Sequence, residues 1–114
     1  MGLFSRATKL AAPISGPKEV IVVGDEHYPV VRGLSTGPAS GVTIEAEPRN
    51  KHDKNAVMVR VNGEQAGYLS AARAKRYRPL VTGRHPVEAV VKQAAINSPA
   101  LALFVMLPRI KYDH

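Results

Sequence analysis

Apolar and polar residues alternate from Gly41 to Glu47, with Val42, Ile44 and Ala46 on one side and Thr43, Glu45 and Glu47 on the other. That is the period of a strand with one buried face. Pro48 closes the run, and Arg49-Asn-Lys-His-Asp-Lys-Asn55 comes next as a polar loop. Two more strand-like runs then flank Asn62-Gly63, a pair suited to a two-residue type I′ turn because both central positions need positive φ. A regular register would pair Val61 with Glu64, Val59 with Ala66 and Val57 with Tyr68. It would set Val57, Val59, Val61, Ala66 and Tyr68 on one face and Met58, Arg60, Gly67 and Leu69 on the other.

The β-branched run Glu19-Val-Ile-Val-Val23, ended by Gly24, predicts a strand. A second is expected around Val30 to Leu34, and Gly33 to Gly41, with Pro38 and two serines, reads as a loop. Ser70 is placed to cap a helix from Ala71 to about Arg78, stopped by Pro79. Helical spacing groups Ala71, Ala74 and Tyr77, with Val81 beyond, and turns Lys75 and Arg76 to solvent. Arg73 falls in the first turn, where its charge opposes the helix dipole, a small penalty on an exposed helix. Val87 to Ala95 alternates weakly as a strand. Ser98-Pro99 could start a helix, but Leu101 to Leu107 is short and Leu103-Phe-Val105 favours a buried strand. The expected fold is mainly β with one or two short helices, a small OB-like β-barrel of five or six strands. Residues 1–17 read as a flexible leader, 18–108 as the barrel domain and 109–114 as a basic tail.

Composition narrows the setting. A chain of 114 residues has room for one domain, which at this size buries roughly 65% of the surface exposed when unfolded. The lack of cysteine excludes disulfides, thiol catalysis and Cys-ligated zinc, and fits a reducing compartment. The opening MGLFSRATKLAA is interrupted by Arg6 and Lys9, unlike a secretory signal. Arg6 also stands where a myristoylation signal wants Ser or Thr. The apolar run from Ala100 to Leu107 is too short to span a bilayer. A cytoplasmic protein without membrane contact is expected.

Sixteen Lys and Arg against nine Asp and Glu give +7 and a pI near 10.1, which favours polyanionic partners. The charge is clustered. No acidic residue lies between Glu64 and Glu88, a span that holds Arg73, Lys75, Arg76, Arg78 and Arg84. Arg49, Lys51, Lys54 and Arg60 form a second group, offset only by Asp53. Such clusters are often just solvated faces, but they raise nucleic acid as a partner.

Several separated motifs carry a family resemblance. They are Glu47-Pro-Arg-Asn50-Lys-His-Asp53-Lys-Asn55-Ala-Val57, then Asn62-Gly63-Glu-Gln-Ala-Gly67-Tyr-Leu69, then Ala74 and Pro79-Leu80, preceded by Val22-Val-Gly24 with His27-Tyr28. Taken in order over residues 18–108, they resemble the HIRAN domain. That family's signature runs glutamate–proline–x–asparagine–proline–tyrosine–aspartate–x–asparagine–alanine–isoleucine, then valine–glycine–tyrosine or histidine–leucine. The resemblance implies an OB-like barrel, found within chromatin-remodeller-type helicases and as small stand-alone bacterial proteins. It further implies binding of single-stranded DNA at its free 3′-hydroxyl end, with a role in DNA repair or replication beside a helicase or other DNA-processing protein.

Transferred onto this chain, the resemblance makes Tyr28 a stacking ring with His27 beside it. It places Asn50 and Asp53 in the loop that meets the strand end, Asp53 accepting the terminal hydroxyl, and Tyr68 near that end. Lys51, Lys54, Arg73, Lys75 and Arg76 would attract phosphates. The chain departs from the signature at Lys51 and His52, where the family has proline and tyrosine, so one aromatic contact is replaced by an imidazole that can still stack. Asp53 and Asn55 also suit turns that bond their own backbone. The four histidines, His27, His52, His85 and His114, show no ligand spacing, so no metal or other cofactor is expected. Asp53 with Glu45 or Glu47 could hold Mg²⁺ in a nuclease, but such scattered carboxylates are weak grounds, and no enzymatic activity is expected. The alternative is a protein-interaction or regulatory module, with a homodimer conceivable through a strand edge or the Leu101–Leu107 segment.

Overall fold

In the computed structural model, which describes residues 17–110, the alternating runs become eight strands and two short α-helices. In chain order these are β1 (Lys18–Ile21), α1 (Pro29–Arg32), β2 (Gly37–Ala39), β3 (Val42–Ala46), β4 (Val57–Val61) and β5 (Glu64–Tyr68). Then come α2 (Ala71–Tyr77), β6 (Arg84–Pro86), β7 (Ala89–Gln93) and β8 (Leu101–Leu107). The leader, apart from Lys18's neighbour Pro17, and residues 111–114 of the expected tail lie outside the described residues.

Two antiparallel four-stranded sheets result, ordered β1-β8-β7-β2 and β5-β4-β3-β6. Their inward residues, among them Val20, Val91, Leu103 and Val105 from one sheet and Ile44, Val57, Val59 and Val61 from the other, form one core. Helix α2 adds Ala74 and a wholly buried Tyr77, whose hydroxyl donates to Pro108 O at 2.6 Å and so ties the helix to the end of β8. Ser70 caps α2 as expected, its Oγ accepting from Arg73 N at 3.3 Å. Lys75 and Arg76 are exposed, while Ala71, expected inward, is exposed too.

The strands are more numerous than the five or six expected, and they do not close into a barrel. At one side the sheets touch through a single bridge between Val23 and Tyr68, whose amides exchange hydrogen bonds of 2.8 and 3.0 Å. At the other side the outer strands β2 and β6 are three residues each and carry Pro38 and Pro86. Proline has no amide hydrogen to extend a ladder, which suits it to edge strands such as these.

Two local expectations fail near the start of the chain. Val30 to Leu34 is not a strand, because its first residues belong to α1, where Pro29 occupies the first helical position. Proline's fixed φ suits that position, and the helical turn brings Val30, Val31 and Leu34 against the core. The expected Gly33–Gly41 loop contains β2, whose Gly37, Pro38 and Ala39 pair with Val91, Val90 and Ala89. The strand at Leu101 to Leu107 and the hairpin at Asn62-Gly63 form as expected, with φ of 51° and 84° at the two turn residues.

Candidate nucleic-acid interface

The hairpin register is where the site begins. Val61 faces Glu64 as the turn requires, but the pairing shifts between Val59 and Arg60, so that Arg60 faces Gln65 and Val59 faces Gly67. Ala66 is the additional residue of a β-bulge. A bulge moves every later side chain to the opposite face, so Tyr68 pairs with Met58 rather than Val57. Tyr68 therefore leaves the core face it was expected to share with Val57 and Val59, and it is half-buried.

Gly67 makes this geometry possible. A Cβ there would lie 2.6 Å from Val22 Cγ1 and 2.7 Å from Val23 O, so only glycine lets the strand after Val22 approach closely enough to bridge Tyr68. The approach also sets the course of the chain beyond Val23. A one-turn 3₁₀ segment (Asp25–His27) leads to Tyr28, the N-cap of α1, and α1 packs beside β5.

Tyr28 and Tyr68 are thereby joined through one side chain. Gln65 Nε2 donates to Tyr28 Oη and to Tyr68 Oη, each at 3.0 Å. The Tyr68 hydroxyl donates onward to Glu47 Oε1 at 2.8 Å, and Asn50 Nδ2 donates to the same oxygen at 3.0 Å. Asn50 Oδ1 then accepts the amides of His52 at 2.9 Å and Asp53 at 3.0 Å. A hydrogen-bonded chain thus runs from Tyr28 to the Glu47–Ala56 loop, which is closed at its base by Glu47 N donating to Ala56 O at 2.9 Å. Glu47, Pro48, Arg49 and Asn50 line an open cleft of about 350 Å³ at this loop.

The six expected recognition residues meet different fates. Tyr28, Tyr68, Asn50 and the backbone of His52 and Asp53 belong to the network. The His52 side chain is exposed, and so is His27, at the end of the 3₁₀ turn. Asp53 is half-buried and uses Oδ1 to accept the Asn55 amide at 2.8 Å, the turn role its position suggested. Its Oδ2 has no hydrogen-bond partner among the described residues. Lys51 and Lys54 are exposed on the same loop. Arg73, Lys75 and Arg76 sit on α2, outside the hydrogen-bonded chain.

Sequence reasoning gave no DNA-binding role to two members, Glu47 and Gln65. Glu47 stands in the signature and on the outward side of its alternating run, and its place in Glu47-Pro-x-Asn50 was the available signal. Nothing local marked Gln65, because its role depends on the bulge. Among the described residues no group of three or more His, Asp or Glu side chains could hold a metal ion.

The Tyr68 phenol has an unusual environment. Burial first, then the hydrogen bond to Glu47 and that carboxylate's charge, push its pKa from 10.0 up to about 12. A phenol whose folded pKa is raised favours the neutral form, so its contribution to stability is complete below pH 10.0 and lost as pH rises through about 12. In an alkaline absorbance titration, Glu47→Gln is expected to lower this ionisation towards 10.0. An unmoved titration would mean that Glu47 does not act on the phenol.

The HIRAN domain family model matches residues 17–107, most of the chain and all of this network. No curated protein and no solved structure matches it.

Proposed function

The chain belongs to the HIRAN domain family, whose members are generally DNA-binding modules, and from that premise we propose that it binds single-stranded DNA by a free 3′-hydroxyl end. The observation that carries the reading is the continuous hydrogen-bonded chain from Tyr28 to the Asp53 loop. It joins two half-exposed rings and the Glu47 carboxylate to the loop that carries Asp53. Rings can stack on terminal bases whatever their identity. Asp53 Oδ2, which has no hydrogen-bond partner among the described residues, suits a hydroxyl that donates, and a terminal phosphate in its place would meet like charge. Exposed Lys51 and Lys54 flank the loop and suit the phosphates behind the terminus.

The proposed role is binding without catalysis. The one hydroxyl of the network set beside a carboxylate, that of Tyr68, has a pKa pushed up to about 12, the wrong direction for a nucleophile near neutral pH.

Fluorescence anisotropy with one short strand ending in 3′-hydroxyl or 3′-phosphate tests the reading. A hydrogen bond to a charged group contributes about 1.5–3 kcal/mol, so the hydroxyl-ended strand is expected to bind at least ten-fold more tightly, roughly. Asp53→Asn, which removes the charge and keeps the shape, should narrow that gap. Equal affinity for the two native ligands defeats end recognition. Feeble binding erased by modest salt, beside a tight protein partner, would favour an interaction module instead.

A further inference from the structure

Beside the Glu47 cleft lies a second one that the end-binding site does not use. It has a volume of about 480 Å³ and is bounded by Glu45 and Ala46 of β3, Arg78 and Val81 after α2, and Arg84 of β6. Pro48 lines both clefts, so the two adjoin at that residue.

Charge sets this cleft apart. Glu45 Oε1 receives Arg60 Nε at 2.7 Å and Arg84 Nη2 at 3.1 Å. The cross-strand register that puts Glu45 opposite Arg84 brings the two side chains within reach of each other. Arg78 is held separately, donating from Nη1 to Val81 O at 3.3 Å. Two guanidinium groups therefore share the Glu45 carboxylate, and with Arg78 the charged residues lining the cleft, Glu45, Arg78 and Arg84, carry a net charge of +1. The Arg84 side chain is 56% exposed even with its ion pair made. A guanidinium fixed at one edge keeps its other N–H groups available in a set direction, which suits a phosphate oxygen better than a free lysine does. The turn at Thr82 and Gly83 that shapes the wall is fixed as well, because Thr82 N donates to the buried His85 Nε2 at 3.0 Å.

We propose that this cleft carries the phosphodiester backbone of the same DNA strand, on the 5′ side of its terminus, with Arg78 and Arg84 as its phosphate contacts. The inference rests on the end-binding reading, since it takes the terminus to lie by Tyr28 and Asp53 and lets the strand pass over Pro48. It moves the principal phosphate contacts away from α2 to the segment after it. The strand so placed has its terminus recognised by stacking and a carboxylate, and its body held by charge alone.

The test compares a thymidine trimer with a thymidine decamer, both ending in 3′-hydroxyl, over a range of salt. For the native protein the decamer should bind more tightly, with a steeper salt dependence. Each single-strand phosphate contact adds about 0.7 to the slope of log affinity against log salt. Arg78→Gln together with Arg84→Gln is expected to weaken decamer binding by roughly ten-fold at low salt and to lower its slope by about 1.4. Trimer affinity and its preference over a 3′-phosphate trimer should not change. Arg78→Gln alone, which disturbs only a contact to a carbonyl, should give about half of the slope change and guards against a folding defect in the double variant.

An unchanged decamer slope would show that these arginines serve only the ion pairs of the fold, and it would overturn the inference. Equal losses for trimer and decamer would overturn it too, by placing the arginines at the terminus. A native protein that lacks any preference for a hydroxyl end, yet loses decamer affinity in the variants, would sink the end-binding reading and leave the charged track standing.

Discussion

Replacing Gly67 by alanine is expected to destabilise the protein by about 3 kcal/mol, the range of an overpacked core position. The added methyl would sit 2.6 Å from Val22 Cγ1 and 2.7 Å from Val23 O, closer than such atoms come without displacement. One of those atoms is backbone, so a rotamer change cannot relieve both contacts. At roughly 4–8 °C per kcal/mol for a domain of this size, the melting temperature should fall by more than 10 °C or so. Gly63→Ala makes the comparison informative. Its φ of +84° also disfavours a side chain, but nothing lies within 4 Å of the new methyl, so its penalty should stay near 1 kcal/mol. If calorimetry gave both variants the same loss, the close approach at Gly67 would not be what requires glycine there.

The second large effect is on binding. Tyr28→Ala removes a half-exposed ring that stands at one end of the hydrogen-bonded chain. Loss of one base-stacking ring weakens single-strand binding by about 1–3 kcal/mol, so a hydroxyl-ended oligonucleotide should bind roughly 5- to 150-fold less tightly. Tyr28→Phe keeps the ring and gives up only the Gln65 contact. A neutral hydrogen bond contributes about 1 kcal/mol, so its loss in anisotropy should stay within about five-fold. Equal losses in the two variants would mean that the hydroxyl's positioning role, not stacking, is what the strand depends on.

These two residues also show what could be read from the chain and what could not. The β3 alternation, the Asn62-Gly63 turn and the capped α2 were legible because each rests on local periodicity or turn chemistry. So was the choice of strand for Leu101 to Leu107, which pairs on both sides, with β1 and β7. The bulge was not legible. Ala66 is small and apolar and fits either a paired position or an additional one, so nothing in the string Glu64-Gln-Ala-Gly-Tyr68 reports the shift. Yet that shift alone turns Tyr68 from packing residue to network member and gives Gln65 its two phenolic partners.

The segment after Gly24 failed for a different reason. Val30 and Val31 favour extended backbone by their branching, but Pro29 at a helix start and the core contact of Leu34 outweigh that preference. Of the site, the signature loop was readable as a loop, and Asp53's turn bond was readable with it. Glu47's part was hidden because it depends on a phenol from another strand reaching across to it.

The bridge between Val23 and Tyr68 has a consequence for how the molecule breathes. One backbone pair is all that joins the two sheets at that edge among the described residues. Parting it while the ladders of both sheets stay intact should require far less free energy than global unfolding. The residue at this seam also presents the phenol of the recognition network, so a ligand resting against it would act as a latch, closing the sheets by mass action without touching the core.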